Sequence, residues 1–479
     1  MDWKERALTV LGLSRSGAAV ARYVAKRGGN VFLSDSAPAT PANETLRQEL
    51  TELGVTIEMG GHGSRCFDHA NDIVVSPGIP PTNETMQQLK LSEKNIISEV
   101  EFAYLQAPSI PIVAITGTNG KSTTTTLVSH ILTISGLRAP ACGNIGIPIT
   151  DILNESPVKQ PVACDVLVAE LSSFQITFSP TLKPKVGILT NFKADHLDWH
   201  GSLEGYRDAK LALFTGDRAP EWSILPADDP IGTMASDVTP NSILWFSRNE
   251  ASVQQYPDKT YIDSDGNFVI ETAKNGKVML LNRKDLYIIG AHNEENVLAA
   301  TAAAYLMDVS TAHIISACKS FKGLEHRLEQ LDPVGPNQVV FFNDSKATNT
   351  DAAISAMKAF ENKSVILIAG GYDKMTPLEE FSMLAQKTCK TIILIGAAKE
   401  RFAASLKEAG ATDIQFSETL ESAVQLALSL SKGESVLFSP ACSSFDMFKN
   451  FEERGRIFKQ AVEALRSQNA STASPMRVG

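Results

Sequence analysis

Hydrophobic residues along this chain fall into short runs, broken by glycine turns and by stretches whose apolar positions recur at helical intervals. Residues 6–35 read RALTVLGLSRSGAAVARYVAKRGGNVFLSD. They predict a strand, a glycine turn, an amphipathic helix and a second strand that ends in Asp35. NDIVVSPGIPP, residues 71–81, predicts another strand running into a Pro/Gly loop that contains Ser76, Pro77 and Gly78. LQAPSIPIVAITG carries two prolines and reads as a linker ahead of a new strand.

From Ile112 onward strands and helices alternate: PIVAITG, a helix after Lys121, then CDVLVAELSS, KVGILTNF and SILPAD. Continuous apolar strands separated by helices predict a parallel sheet covered on both faces. YIDSDGNFVI signals a hairpin at Asp265-Gly266, expected as a small β annex. A third run starts near Gly323 with QVVFFNDS, SVILIAGG, TIILIGAA and ESVLFSPA, each followed by a helical stretch. The expected fold class is α/β in three domains. These are a Rossmann-like domain over residues 1–108, a central P-loop ATPase-like parallel-sheet domain over 109–323, and a Rossmann-like α/β domain over 324–479. The tail SQNASTASPMRVG is small and polar and is expected to be disordered.

Length agrees with several domains, since 479 residues exceed what one core supports. The net charge of -10 argues against nonspecific affinity for nucleic acid or membranes. Any anionic ligand must therefore meet cations gathered locally. The six cysteines contain no C-x-x-C pair, so neither a disulfide framework nor a zinc site is indicated. No secretory leader is recognisable at the start, no apolar run is long enough for a membrane span, and a cytoplasmic location is expected.

Candidate chemistry begins at ITGTNGKSTTTTL, residues 115–127. The full phosphate-loop pattern places four residues between its first glycine and the Gly-Lys-[Ser/Thr]. Here only Thr118 and Asn119 separate Gly117 from Gly120. Backbone N–H groups at a helix start attract phosphate oxygens, Lys121 neutralises them and the Ser122 hydroxyl is a Mg²⁺ ligand type. Glu170 closes the strand CDVLVAE, at the end of the sheet where ligands bind in open α/β folds; it is either a Mg²⁺ ligand or an ordinary strand-end acid. TNFKADHLDWHG gathers Asp195, His196, Asp198 and His200, a metal or acid–base cluster or simply a polar loop. Arg327, Asp344, Lys346, Thr348, Asn349, Asp373 and Lys374 fall at strand ends or at the opening of the third domain, where the cations suit phosphate and carboxylate oxygens.

Taken in order, GTNGKST, GNIG, AELSSFQ, DHLD, YRDAK, GAHNEEN, HR, NDSKATN, GGYDK and SPACSSFDMFKNFEERG resemble the Mur ligase family over the whole length. These are ATP-dependent amide-forming enzymes of peptidoglycan precursor synthesis, and the shortened loop is the form this family uses. The resemblance implies that Gly117, Thr118, Asn119, Gly120, Lys121, Ser122 and Thr123 cradle the ATP phosphates. It places Ser122 and Glu170 on one Mg²⁺, His196 on a second, and a carbamylated Lys210 at the same metal site. Asn293 and Asn296 approach the adenine, with Arg327 and Asp344 near phosphates and ribose. Asn144 and Lys346, with Ser14, Arg15, Asp35 and the Ser76–Gly78 loop, hold the nucleotide-sugar. Thr348, Lys374, Ser444 and the backbone at Phe451 hold the amino acid. NDSKATN and SPACSSFDMFKNFEERG fit the branch whose substrates are UDP-N-acetylmuramoyl-L-alanine and D-glutamate. A monomer that closes its domains around the ligands is expected.

Three other readings compete. Within the class, another amino acid or a folylpolyglutamate synthetase is possible, and the third-domain segments decide against both. A Rossmann oxidoreductase would want glycine at 14 and leaves the phosphate loop unexplained. A non-catalytic nucleotide switch has no need of Glu170, His196 and Lys210 together.

Overall fold

The computed structural model describes residues 3, 4, 6–80, 82–156, 162 and 164–472, with the side chains of 197, 198 and 469–472 outside the description. Three sheets carry the chain. The first contains β1 (Ala7–Leu11), β2 (Asn30–Asp35), β3 (Thr56–Met59), β4 (Asp72–Val75) and β5 (Asn95–Ser98), in the order β3-β2-β1-β4-β5. All its pairings are parallel. This is the dinucleotide-type arrangement expected from residues 6–35. Ser14 has a positive role in it, because its side chain caps the helix Arg15–Ala25 by accepting from Gly17 N at 3.3 Å.

The central sheet holds β6 (Ile112–Thr116), β7 (Ala141–Gly143), β8 (Leu167–Glu170), β9 (Val186–Leu189), β10 (Trp222–Pro226), β11 (Ser242–Ser247), β12 (Lys259–Ile262), β13 (Asn267–Thr272) and β14 (Gly276–Asn282). Their order is β14-β13-β12-β11-β10-β9-β6-β8-β7. β6 is buried along its whole length and lies between β8 and β9. The chain leaves β6 toward β7 and β8 on one side and later returns to β9 on the other. A crevice opens at the carboxyl end of such a strand, and that is where open α/β sheets bind ligands. The Asp265-Gly266 hairpin forms as expected between β12 and β13. It is not a separate annex, however: β12 pairs in parallel with β11 and extends the same sheet, which uses edge backbone that would otherwise be unpaired.

The third sheet contains β15 (Glu329–Gln330), β16 (Phe341–Asn343), β17 (Val365–Gly370), β18 (Cys389–Ile395), β19 (Ile414–Phe416) and β20 (Ser435–Phe438). The order is β15-β16-β20-β17-β18-β19, antiparallel only at β15. A closing helix spans Phe451–Thr472. It carries the backbone several residues into the tail expected to be disordered, because the amphipathic spacing of the preceding turns propagates the helix. Residues 473–479 lie outside the described residues. Among the described residues no helix is long and apolar enough to cross a membrane.

The chain divides into two compact units, Met1–Asp285 with Glu295–Lys319, and Leu286–Glu294 with Ser320–Gly479. The first and central sheets thus share one unit. Inside the first domain, Trp3 and Tyr23 pack on Phe102 at ring distances of 5.4 and 5.7 Å. Its junction with the central domain carries polar contacts. Arg22, on the first domain's helix, bridges Glu49 and Asp151 at 2.6 and 3.0 Å. Glu99 is 1% exposed, and its Oε1 accepts from Thr150 N and Oγ1 at 2.6 and 2.7 Å.

Burial pushes the Glu99 carboxyl from its ordinary 4.5 up to about 7, opposed by the Thr150 bonds and reinforced by the Asp151 charge. Cys142 also faces it. Between those two values the folded state holds a proton that the unfolded chain releases, so stability falls as pH rises from the lower to the upper value and is flat above it. Urea unfolding of wild type and Glu99→Gln across pH 5 to 8 is expected to show wild type losing up to ~3 kcal/mol relative to the variant. Parallel curves would refute the assignment.

Candidate active site

The loop after β6 is held in one shape from outside. Gly117 has φ +139, and a Cβ there would stand 2.0 Å from Thr190 Oγ1. Gly120 has φ +83, and its Cβ would meet Asn296 Oδ1 at 2.3 Å. Both positions therefore require glycine for conformation and for space. Thr118 N donates to Asn191 O at 3.1 Å and Asn119 N to Asn191 Oδ1 at 2.9 Å. Thr190 Oγ1 donates to Asn119 O at 2.6 Å. The helix Lys121–Ile134 then begins with no side-chain cap on its first turn. Its leading N–H groups and dipole make an anion-binding start, with Ser122 and Thr123 half-buried beside them.

Two lysines converge on this loop. Lys121 Nζ donates to Gly117 O at 3.0 Å and Thr118 O at 2.8 Å. Lys210, on the helix Leu203–Leu211, is only 1% exposed and donates to the same Gly117 oxygen at 2.8 Å. Its ammonium also lies 4.5 Å over the Tyr206 ring. Burial first, then the neighbouring Lys121 charge, pulls Lys210 from 10.5 down to about 7, against the opposing pull of Asp195 and Glu170. A lysine on a helix is ordinarily solvated; here it is buried.

Glu170, at the end of β8, is 3% exposed. Asn144 Nδ2 donates to its Oε1 at 2.8 Å, and Asn144 N to its backbone oxygen at 2.9 Å. Its Oε2 is buried with no hydrogen-bond partner. A buried carboxylate oxygen left without a donor is costly, and a hard cation that takes oxygen ligands is the partner that fits it. His196 adopts φ 50, with Nε2 3.5 Å from Asp195 Oδ2 and its ring 5.0 Å from Phe174. Among the described side chains of this loop, His196 and His200 both pack on Phe174 and Tyr206 but take different polar partners. His200 Nε2 pairs with Ser173 Oγ at 2.8 Å and stacks on Phe174, while the Asp198 side chain lies outside the described residues.

In the first sheet, Asp35 receives Leu13 N at 2.5 Å and Ala37 N at 2.7 Å. Ser14 and Ser76 hydroxyls meet at 2.8 Å, with Pro77 and Gly78 following at the surface. Arg15 donates to Gly146 O at 3.1 Å, joining this loop to the turn that carries Asn144. Asn296 belongs to the same unit and accepts from Thr124 Oγ1 at 3.2 Å.

The remaining candidates lie in the second unit. Asn293 Nδ2 donates to Ile289 O at 2.8 Å. Arg327 is exposed. Asp344 is buried, accepts from Leu328 N at 3.1 Å and Ser439 Oγ at 2.7 Å, and is pushed by burial up to about 7. Both its oxygens are thus engaged inside its own unit. Lys346 sits 3.9 Å over the Phe451 ring, Thr348 N donates to Lys346 O at 2.8 Å, and Ser444 is buried. Lys374 is exposed, whereas Asp373 is gripped by Arg401 at 2.7 and 2.9 Å, which holds its carboxyl below the usual range.

Sequence reasoning missed Arg454, which is 1% exposed. It donates to Ser345 Oγ and O at 3.1 and 2.8 Å, and to Cys442 O and Ser443 O at 3.0 and 3.1 Å. It thereby ties together the segments that carry Lys346, Ser444 and Phe451. The NFEERG run contains it, but no local pattern separates a buried arginine from a solvated one.

Three segments match Mur ligase domain families. Residues 6–98 match the Mur ligase MurD-like N-terminal domain, 115–304 the Mur ligase middle domain, and 326–442 the Mur ligase glutamate ligase domain. The chain is 37% identical over 476 residues to the UDP-N-acetylmuramoylalanine–D-glutamate ligase of Thermoanaerobacter pseudethanolicus, covering 97% of this chain and 100% of that protein. Identity to the enzyme of the same name from Pelotomaculum thermopropionicum is 35% over 467 residues, with coverages of 97% and 99%. Among solved structures, UDP-N-acetylmuramate-alanine ligase from Thermotoga maritima aligns with TM-score 0.56 at 20% identity, covering 96% of this chain and 99% of that one. A pseudomurein peptide ligase type C from Methanothermus fervidus aligns with TM-score 0.54 at 19% identity and the same coverages of 96% and 99%. These two likenesses concern the fold.

Gly117→Ala is expected to abolish nucleotide binding by forcing Thr190 off the loop, with far-UV circular dichroism unchanged. Calorimetric titration with ATP checks this, and retained affinity would show that the loop tolerates the displacement.

Proposed function

The chain belongs to the Mur ligase family, and we propose that it joins D-glutamate to UDP-N-acetylmuramoyl-L-alanine, driven by ATP, through an acyl phosphate. The full-length identity to ligases of that name supports the choice of substrates. The observation that carries the chemistry is the unpaired, buried Glu170 oxygen on the strand next to β6, whose phosphate loop gathers two lysines.

A carboxylate is a poor acyl donor because its leaving group would be oxide. In the proposed reaction an oxygen of the alanyl carboxylate attacks the γ-phosphorus. The bond to the β-bridging oxygen breaks and ADP leaves. The glutamate amine, as its free base, then attacks the acyl carbon, the C–O bond to phosphate breaks and phosphate leaves, and the nitrogen passes one proton to phosphate or water while keeping the other in the amide. Both organic partners are anions, so most of the catalytic work is positioning and charge compensation. The N–H groups of Gly117–Thr123 and the Lys121 ammonium would hold the phosphates. Ser122 and Glu170 would hold one Mg²⁺, with His196 and Lys210 serving a second. When bound, these cations supply the positive charge that lets phosphate and carboxylate approach.

Lys210 suits carbamylation. Its amine is buried beside another ammonium, which favours the neutral nucleophile. Attack of that neutral nitrogen on CO2 forms an N–C bond and releases one proton; with the proton already shed by the ammonium, a cation has become an anion that a metal site accepts. Asn293, Asn296, Arg327 and Asp344 would serve the nucleotide. Ser14, Arg15, Asp35, Ser76–Gly78, Asn144 and Lys346 would serve the UDP-sugar. Thr348, Lys374, Ser444 and Phe451 would serve D-glutamate. We take the enzyme to be a cytoplasmic monomer.

Phosphate release from Mg-ATP with UDP-N-acetylmuramoyl-L-alanine is expected only when D-glutamate is added, not L-glutamate, L-lysine or diaminopimelate. Release with another amino acid would keep the family and move the error to the second unit. Lys210→Ala is expected to lose at least ~100-fold in kcat, since it removes a group at the reacting centre. Formate or acetate should restore part of that loss, and complete failure of such rescue counts against the carbamate.

A further inference from the structure

At the junction of the first and central domains lie two buried carboxyls, Glu99 and Glu101. The segment that leaves β5 grips the central domain at three successive points. Ser98 N donates to Phe178 O at 2.6 Å, and its hydroxyl meets Ser179 Oγ at 2.7 Å. Glu99 caps the start of the helix Ile149–Glu155 through Thr150. Glu101, wholly buried, accepts from Thr181 N and Leu182 N, both at 3.0 Å, and from the Thr181 hydroxyl. Burying an acid is costly without such pairing, and the donors to both carboxyls come from the other domain, although Glu99 Oε2 takes none.

The helix Ile149–Glu155 is also held from the far side. Asp151 meets Arg22 at 3.0 Å, and Asn154 Nδ2 donates to Ala19 O at 3.0 Å. Both partners sit on the helix that begins at Ser14 and Arg15. Immediately before Pro148, Ile147 O accepts Gly143 N at 3.0 Å, closing the turn that presents Asn144 to Glu170. One short helix therefore connects the first domain's ligand loop to the carboxylate beside the phosphate loop.

Resting on the ligase reading, we infer that Glu99 and Glu101 are positioning residues for the reaction: a two-carboxyl latch that holds the UDP-sugar loop and the Asn144–Glu170 pair in fixed register. Substrate carboxylate and γ-phosphate must meet within bonding reach, while each is bound by a different domain. A junction that slides by an ångström would pull the UDP-sugar contacts away from the phosphate loop, so that the sugar nucleotide binds more weakly while the nucleotide still binds. The latch acts on the span between the two sites, not on the phosphate loop itself.

The test uses the full chain. Glu99→Ala is expected to raise KM for UDP-N-acetylmuramoyl-L-alanine at least ~10-fold while KM for ATP stays within ~2-fold. Glu99→Gln, which keeps the acceptor for Thr150, should return the sugar-nucleotide KM to within ~3-fold of wild type. A purely structural role would instead lower the active fraction and leave both KM values alone. Amide exchange, measured without substrates, should accelerate at residues 143–150 in Glu99→Ala and stay unchanged in the helix Lys121–Ile134. If Glu99→Ala does not fold, Thr150→Val removes only the hydroxyl bond and should give a smaller rise of the same selectivity. Equal changes in both KM values, or unchanged exchange at 143–150, would overturn the latch. Wild type releasing no phosphate would overturn the ligase reading, and the exchange data would still judge the latch.

Discussion

The carbonyl oxygen of Gly117 accepts hydrogen bonds from two lysines, and much of the structure exists to make that possible. Two ammonium groups on one oxygen would be an expensive concentration of like charge, and burial with the Lys121 charge accordingly pulls Lys210 down to about 7. The cost is met by placement. Lys121 heads a helix whose dipole favours anions there, Lys210 lies over the Tyr206 ring, and Glu170 and Asp195 oppose from nearby. The buried strand β6 and the glycines at 117 and 120 hold the loop in a shape that brings both lysines to one point. A ligand carrying several negative charges satisfies this arrangement better than water can.

Much of this was legible in the sequence where local pattern and chemistry coincide. Continuous apolar runs gave the parallel sheets, and Gly-Lys-Ser between a strand and a helix gave the loop. Glu170 was visible as a strand-end acid because its strand is so regular. Lys210 was not visible from composition, since its burial comes from a loop far away in sequence, at Gly117. The hairpin strands β12 and β13 were readable, but their continuity with β11 was not, because the identity of a strand's neighbour across the sheet leaves no local signature. Ser14 read as a damaged fingerprint, yet it is a helix cap whose hydroxyl also meets Ser76.

Arg454 and Glu99 illustrate the harder class. Each is a charged residue type buried almost completely, and each holds segments remote in sequence through oxygen or N–H partners on the backbone. Sequence assigns such residues to the surface because most arginines and glutamates are there. Only the assembled fold shows that both serve as struts behind loops that carry candidate ligand groups.

The curled posture of Lys121 bears on how the loop tells anions apart. Its ammonium is already engaged with two carbonyl oxygens of its own loop, so an arriving anion must exchange bonds and does not simply fill a bare positive hole. A small ion such as sulfate or orthophosphate has few oxygens with which to compensate that exchange and to cover the helix N–H groups at the same time. A polyphosphate chain can do both at once. A ligand that recruits Lys121 must therefore replace two hydrogen bonds before it gains any.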